Sequence, residues 1–176
     1  MLKIKLLKET IEQKSPEAAH QEYLNLITAK LVMTDDENFG KKFATAQEIP
    51  QRNGMKPRGI WYGLGRSWID WVEKNMPEKQ AEMIYEILFF ENKILILNNE
   101  KDVMKFGQIY GDRFSEDEPV HSIRWNEVQE KYSGIQISNV DTTSDTANQN
   151  LWYASWDVAS GCIWDPEIIW AYGRIK

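Results

Sequence analysis

The stretch from Lys56 to Val72 constrains this chain more than any other. It reads Lys56-Pro57-Arg58-Gly59-Ile60-Trp61-Tyr62-Gly63-Leu64-Gly65-Arg66-Ser67-Trp68-Ile69-Asp70-Trp71-Val72. Ile60, Trp61 and Tyr62 have the β-branched and aromatic composition of a strand, Gly63 and Gly65 permit a sharp reversal, and Ser67 can open a helix carrying Trp68, Trp71 and Val72 on one face. The spacing therefore predicts a strand running through a glycine turn into a helix. Its four large rings, Trp61, Tyr62, Trp68 and Trp71, have two readings. As core they bury area and need only local partners for their polar tips. As a site, Tyr62 and one tryptophan stack on a flat ligand ring while Gly63 and Gly65 let its phosphates approach. Strand alternation prevents all four from facing one side. Gly-Leu-Gly is weak evidence of phosphate binding, because it lacks the third glycine of a dinucleotide fingerprint and the lysine of a P-loop.

The rest of the chain supplies elements to pack around that block. Residues 16–31 read as an amphipathic helix, with Ser15 as cap, Pro16 in the first turn and Tyr23, Leu24, Leu26, Ile27 and Leu31 at helical spacing. Residues 35–57 are polar and broken by Gly40, Pro50, Gly54 and Pro57, a long irregular segment of the kind that often carries function. Apolar runs at 83–90 and 94–97 predict two strands joined by the short turn Glu91-Asn92-Lys93. Asn99-Glu100-Lys101-Asp102 starts a helix bearing Val103, Phe106 and Tyr110. An acidic loop over 112–118, a short helix over 127–132 and a strand over 135–137 follow. Residues 139–150 have loop composition, and the last strands fall at 161–164 and 168–173. With no repeat and no linker, these make one α+β domain over 1–176.

Composition narrows the function classes. A hydrophobic fraction of 42%, with eight Trp, seven Tyr and six Phe, excludes a disordered chain. No apolar run nears the roughly 18 residues of a membrane span, and the charges of the first residues are interleaved, so the expectation is a cytoplasmic protein without a membrane. The net charge is −6, and residues 81–176 carry 8 basic against 16 acidic side chains. That field repels nucleic acid over most of the surface. Lys56, Arg58 and Arg66 form the one candidate basic patch, with solvated charges beside a turn as its ordinary reading.

The lone Cys162 excludes an internal disulfide, and two histidines, His20 and His121, cannot complete a zinc site with it. His121 stands near Ser122 only in sequence, so no hydrolase triad can be argued for either histidine, and Cys162 reads as buried and inert. Asp157, Asp165 and Glu167 lie among aromatic residues that can desolvate them, although a cap or an ion pair is the commoner use of each.

The order of these segments resembles a divergent ADP-ribosyltransferase fold over about residues 56–173, with residues 1–55 as an N-terminal helical part. Gly59-Ile60-Trp61-Tyr62-Gly63 before a helix is similar to that family's second motif, beside the nicotinamide pocket. Tyr85-Glu86-Ile87-Leu88 and Ile94-Leu95-Ile96-Leu97, followed by the acidic helix start, resemble its paired strands and helix. Lys131-Tyr132-Ser133-Gly134-Ile135 resembles its "YDGI" step, and Cys162-Ile163-Trp164-Asp165-Pro166-Glu167 its last strand and exit. The resemblance implies a split, mixed β-sheet with small flanking helices and NAD in a central cleft. It departs in two places. The family's early-strand histidine or arginine has no clear equivalent; Arg52 is the nearest basic candidate, and Thr34 lies on the more strand-like stretch. Where the family has its glutamate, this chain has Ser160-Gly161, so Asp157 from the preceding turn is the candidate acid.

Two functions follow as expectations. The first is an NAD-dependent ADP-ribosyltransferase acting on a macromolecular acceptor. Asp157 is its catalytic acid, stabilising charge on the ribose as nicotinamide leaves, and Trp61, Tyr62, Gly63, Gly65, Trp68 and Arg52 contact the cofactor. The second is a non-catalytic acidic protein that binds and inhibits a basic partner protein. Small acidic, tryptophan-rich chains of this style are similar to proteins found in phage genomes.

Overall fold

A computed structural model describes residues 29–40 and 47–175 of the chain. Most of the helix expected over 16–31, its Ser15 cap and His20 lie outside the described residues. Lys30 and Leu31, its last two positions, instead begin strand β1 (Lys30–Thr34). The described part of 1–55 thus contributes a central strand of the sheet.

The glycine-rich block forms β2 (Ile60–Leu64), turns at Gly65 and continues as helix α1 (Ser67–Asn75). Gly65 adopts φ +54°, a backbone region that favours glycine, and its N–H donates to the Ala29 carbonyl at 2.7 Å. Then come β3 (Met83–Phe89), β4 (Ile94–Leu97), α2 (Glu100–Tyr110) and the short antiparallel pair β5 (Gly111–Asp112) and β6 (Ser122–Ile123). Helix α3 (Trp125–Gln129), β7 (Gly134–Ile137), α4 (Asp145–Gln149), α5 (Leu151–Ala154), β8 (Ser160–Ile163) and β9 (Ile169–Arg174) complete the chain. Residues 139–150 are not all loop as expected. Ser144 caps α4 by accepting from the Ala147 N–H at 3.3 Å, and Thr146 and Ala147 are buried.

Seven strands form one mixed sheet in the order β4-β7-β8-β2-β1-β3-β9, in which only β4 and β7 run parallel. The resemblance implied a split sheet; the main sheet is continuous, and only the β5–β6 pair stands apart. Joined by the turn at 91–93, β3 and β4 do not pair: they occupy the sixth and first places in the sheet. Five strand spacings in a flat sheet span about 24 Å. The chain from Phe89 to Ile94 can reach at most about 18 Å. The sheet therefore curls, bringing its β4 edge round toward β3.

Strand alternation sorts the apolar residues onto the two faces of this curl. Inside it, Val32, Tyr62, Ile87, Phe89, Ile94, Ile163 and Ile168 pack together. The outer face carries two further clusters. Leu97, Ile135, Ile137 and Cys162 meet Val103, Phe106, Trp125, Val128, Trp152 and Trp156 from the α2, α3 and α5 side, while Leu31 and Ile84 meet Ile69 of α1. No described helix is long and apolar enough to cross a membrane.

Candidate functional site

A cavity of about 280 Å³ opens at the seam between the two outer-face clusters, lined by Met33, Lys56, Trp61, Tyr62, Trp68, Trp156, Asp157 and Ser160. Register explains its floor. Trp61 pairs with Cys162 and Gly63 with Ser160, so Trp61, Gly63 and Ser160 share one face of adjacent strands. Gly63 and Ser160 leave that face low. A Cβ at Gly63 would lie 2.8 Å from the Trp68 Cβ, so glycine lets the first turn of α1 settle onto β2. Ser67 fastens the same turn by donating from its hydroxyl to the Ala159 carbonyl at 2.7 Å.

The walls are aromatic. Trp61 and Trp156 have ring centroids 4.9 Å apart at 56°, and Trp68 stacks on Trp71 at 5.2 Å and 6°. Against these rings stands one ion pair, with Lys56 Nζ 3.8 Å from Asp157 Oδ2 and 5.6 Å from the centre of the Trp61 ring. Trp156 is only 1% exposed, and its indole N–H is buried with no acceptor. The other fully buried tryptophans are satisfied: Trp125 donates to the Gly54 carbonyl, Trp152 to Asn150 Oδ1 and Trp164 to the Tyr132 carbonyl. A buried donor left open costs about 1–3 kcal/mol.

Of the residues singled out in the sequence, the structure brings Trp61, Tyr62, Trp68 and Asp157 to this cavity. Tyr62 enters the lining with little to offer. It is 2% exposed, its ring packs on Phe89 at 5.3 Å and its hydroxyl donates to Gln136 Oε1 at 3.2 Å. Trp61 and Trp68 are the rings open to a ligand. Arg52, Gly63 and Gly65 are not among the lining residues. Arg52 is exposed on the irregular stretch before β2, and the two glycines serve the turn and the seating of α1.

Elsewhere the candidates have ordinary roles. Asp165 accepts from the Ser133 hydroxyl at 3.0 Å and from the Glu167 N–H at 3.2 Å as a cap. Burial pushes the Cys162 thiol well above its usual range. Of the candidate basic residues, Arg66 is engaged by Asp70 and Glu73 and Lys56 by Asp157. Among the described residues, no group of three His, Cys, Asp or Glu side chains is placed to hold a metal.

Met33 and Trp156 join the site without having been singled out from the sequence, and Ser160, which stands where the resembled family has its glutamate, lines it as well. Trp156 had a signal, adjacency to Asp157. Met33 had none, since nothing local shows that β1 lies beside β2.

The cavity offers aromatic walls from Trp61, Trp68 and Trp156 and a part-exposed carboxylate, Asp157, paired with Lys56. The volume falls just below the roughly 300–1,000 Å³ typical of ligand pockets. Compared with known protein families, curated proteins and solved structures, the chain matches none, so a functional reading of this protein rests on the residues of the cavity itself.

Proposed function

We propose that this cavity is an NAD site and that the protein is an ADP-ribosyltransferase acting on a macromolecular acceptor. One observation carries the reading: Asp157 lines a single cavity with Trp61 and Trp68, which come from a distant part of the sequence. NAD supplies a sugar–ring bond whose cleavage leaves positive charge on the ribose. Trp61 and Trp68 hold the ring and exclude water, and the Asp157 carboxylate faces the sugar where charge builds. Calorimetric titration with NAD tests this directly. Wild-type protein should give a saturable isotherm, Trp68→Ala should weaken it about tenfold, and Asp157→Asn should lose transfer to protein acceptors even at saturating NAD. No heat at millimolar NAD overturns the proposal.

A second reading, a non-catalytic acidic protein that binds a basic partner, is favoured by one feature outside the cavity. Phe114 stands 80% exposed before Ser115-Glu116-Asp117-Glu118, an apolar tip beside negative charge. It becomes the leading reading if NAD gives no heat.

A further inference from the structure

Lys56 is held at the cavity rim by a short arch pinned on both sides. On one side, Gly54 exchanges backbone hydrogen bonds with Ile123 at 3.1 and 2.9 Å, and its carbonyl also accepts from the Trp125 indole N–H. On the other, the Gln51 side chain accepts from the Arg58 N–H at 2.9 Å and donates to the Arg58 carbonyl at 2.7 Å. Between these clamps only Met55, Lys56 and Pro57 span the gap, and Pro57 is buried. The root of the Lys56 side chain is thus fixed, while the side chain itself is 42% exposed.

Its ammonium lies over the Trp61 ring and beside the Asp157 carboxylate, both of which attract a cation. We infer that Lys56 is a tethered occupant of a cation subsite formed by Trp61 and Asp157, and that a planar monocation of the alkylated-pyridinium class enters this subsite by displacing it. The inference rests on the reading of this cavity as a ligand site and adds both the charge of the moiety it admits and the residue that competes with it. Removing the lysine ammonium frees the ring face and the carboxylate together. A neutral ring gains nothing from the carboxylate and is indifferent to the exchange.

The test titrates the full chain and its Lys56→Gln variant with N-methylnicotinamide cation, which carries the charge and no phosphate, and with neutral nicotinamide. Thermal melts confirm that the variant is folded. Lys56→Gln should bind the cation about two- to fivefold more tightly than wild type, the range expected for an exposed cation–π contact. Neutral nicotinamide should show no such gain. Asp157→Asn should weaken binding of the cation alone. An unchanged or weaker cation affinity in Lys56→Gln overturns the inference, as does an equal gain for the neutral ring or no binding of the cation to either protein. NAD itself, titrated into wild type, separates the two claims. Heat with NAD and no lysine effect keeps the NAD reading and removes the tethered occupant; a lysine effect without NAD binding does the reverse.

Discussion

Tyr62 and Cys162 lie on neighbouring strands at the centre of the sheet, and both are protonated groups that the fold refuses to ionise. Burial pushes the Tyr62 phenol well above its ordinary range, and the nearby Cys162 and Glu91 raise it further. Burial alone raises Cys162. In the unfolded chain the thiol ionises near about pH 8.5 and the phenol near about pH 10. Over that window the folded state keeps protons that the unfolded state releases, so stability is full below it and falls as pH rises through it. Thermal melts should show a level plateau to about pH 8 and a decline above. Tyr62→Phe should make the decline near pH 10 shallower, while lowering stability at neutral pH by about 1 kcal/mol for the lost bond to Gln136. An alkaline decline as steep in Tyr62→Phe as in wild type would contradict this account. At this scale the sequence was partly legible. The prominence of Trp61, Trp68 and Asp157 could be read from their neighbours, but the pairing of Asp157 with Lys56 could not. That contact joins residues far apart in the chain, and neither carries a local mark of the other.

Helix α2 shows how packing overrides local preference at the scale of an element. Its start follows from the sequence: the Asn99 side chain accepts from the Asp102 N–H at 3.2 Å, and the Asp102 carboxylate accepts from the Asn98 N–H at 2.9 Å. Gly107 within it looks like a liability, since alanine is favoured over glycine in a helix interior by about 1 kcal/mol. A Cβ there would nevertheless run into Asn150 Oδ1. Asn150 is 1% exposed and cannot retreat freely, because it donates to the Thr146 carbonyl and accepts from the Trp152 indole. Overpacking of this kind costs about 1–3 kcal/mol, which outweighs the propensity gain. Gly107→Ala should therefore lower the melting temperature by a few degrees, at about 2–4 °C per kcal/mol for a chain of this size. A raised melting temperature would mean that Asn150 yields. The same contact explains why residues 139–150 resisted reading. Their Asp, Thr, Ser and Asn side chains have loop composition, yet Ser144 caps a helix, Thr146 donates to Glu100 and Asn150 bridges two elements. Elements built on apolar periodicity, such as β2, β3 and α2, were legible because their burial is written in one local pattern. Elements built on tertiary polar contacts were not.

For the whole molecule, the open question is what holds the sheet curled: the short link between β3 and β4, or the apolar cluster enclosed by the curl. The sequence marked both strands and the turn between them, but not their separation in the sheet, because pairing partners depend on β7, β8 and β1, which lie elsewhere in the chain. The cluster inside draws on β1, β2, β3, β4 and β8 at once, so its burial favours the curl with or without a tight link. Lengthening a loop by a few residues costs only about 0.5 kcal/mol of closure entropy. Truncating a buried isoleucine costs about 2–5 kcal/mol. Four Gly and Ser residues inserted between Asn92 and Lys93 should therefore lower stability by about 1 kcal/mol or less, including the lost bond from the Lys93 N–H to the Phe90 carbonyl. Ile163→Ala, at a side chain with no exposure in the middle of the cluster, should cost several times as much. Denaturant unfolding of the two variants beside wild type decides between the causes. A larger loss in the insertion variant would place the curl in the link. The expected order places it in the core, and the outer-face cavity then keeps its shape when the link is loosened, because Met33, Trp61 and Ser160 ride on three adjacent strands clamped from within by Val32, Tyr62 and Ile163.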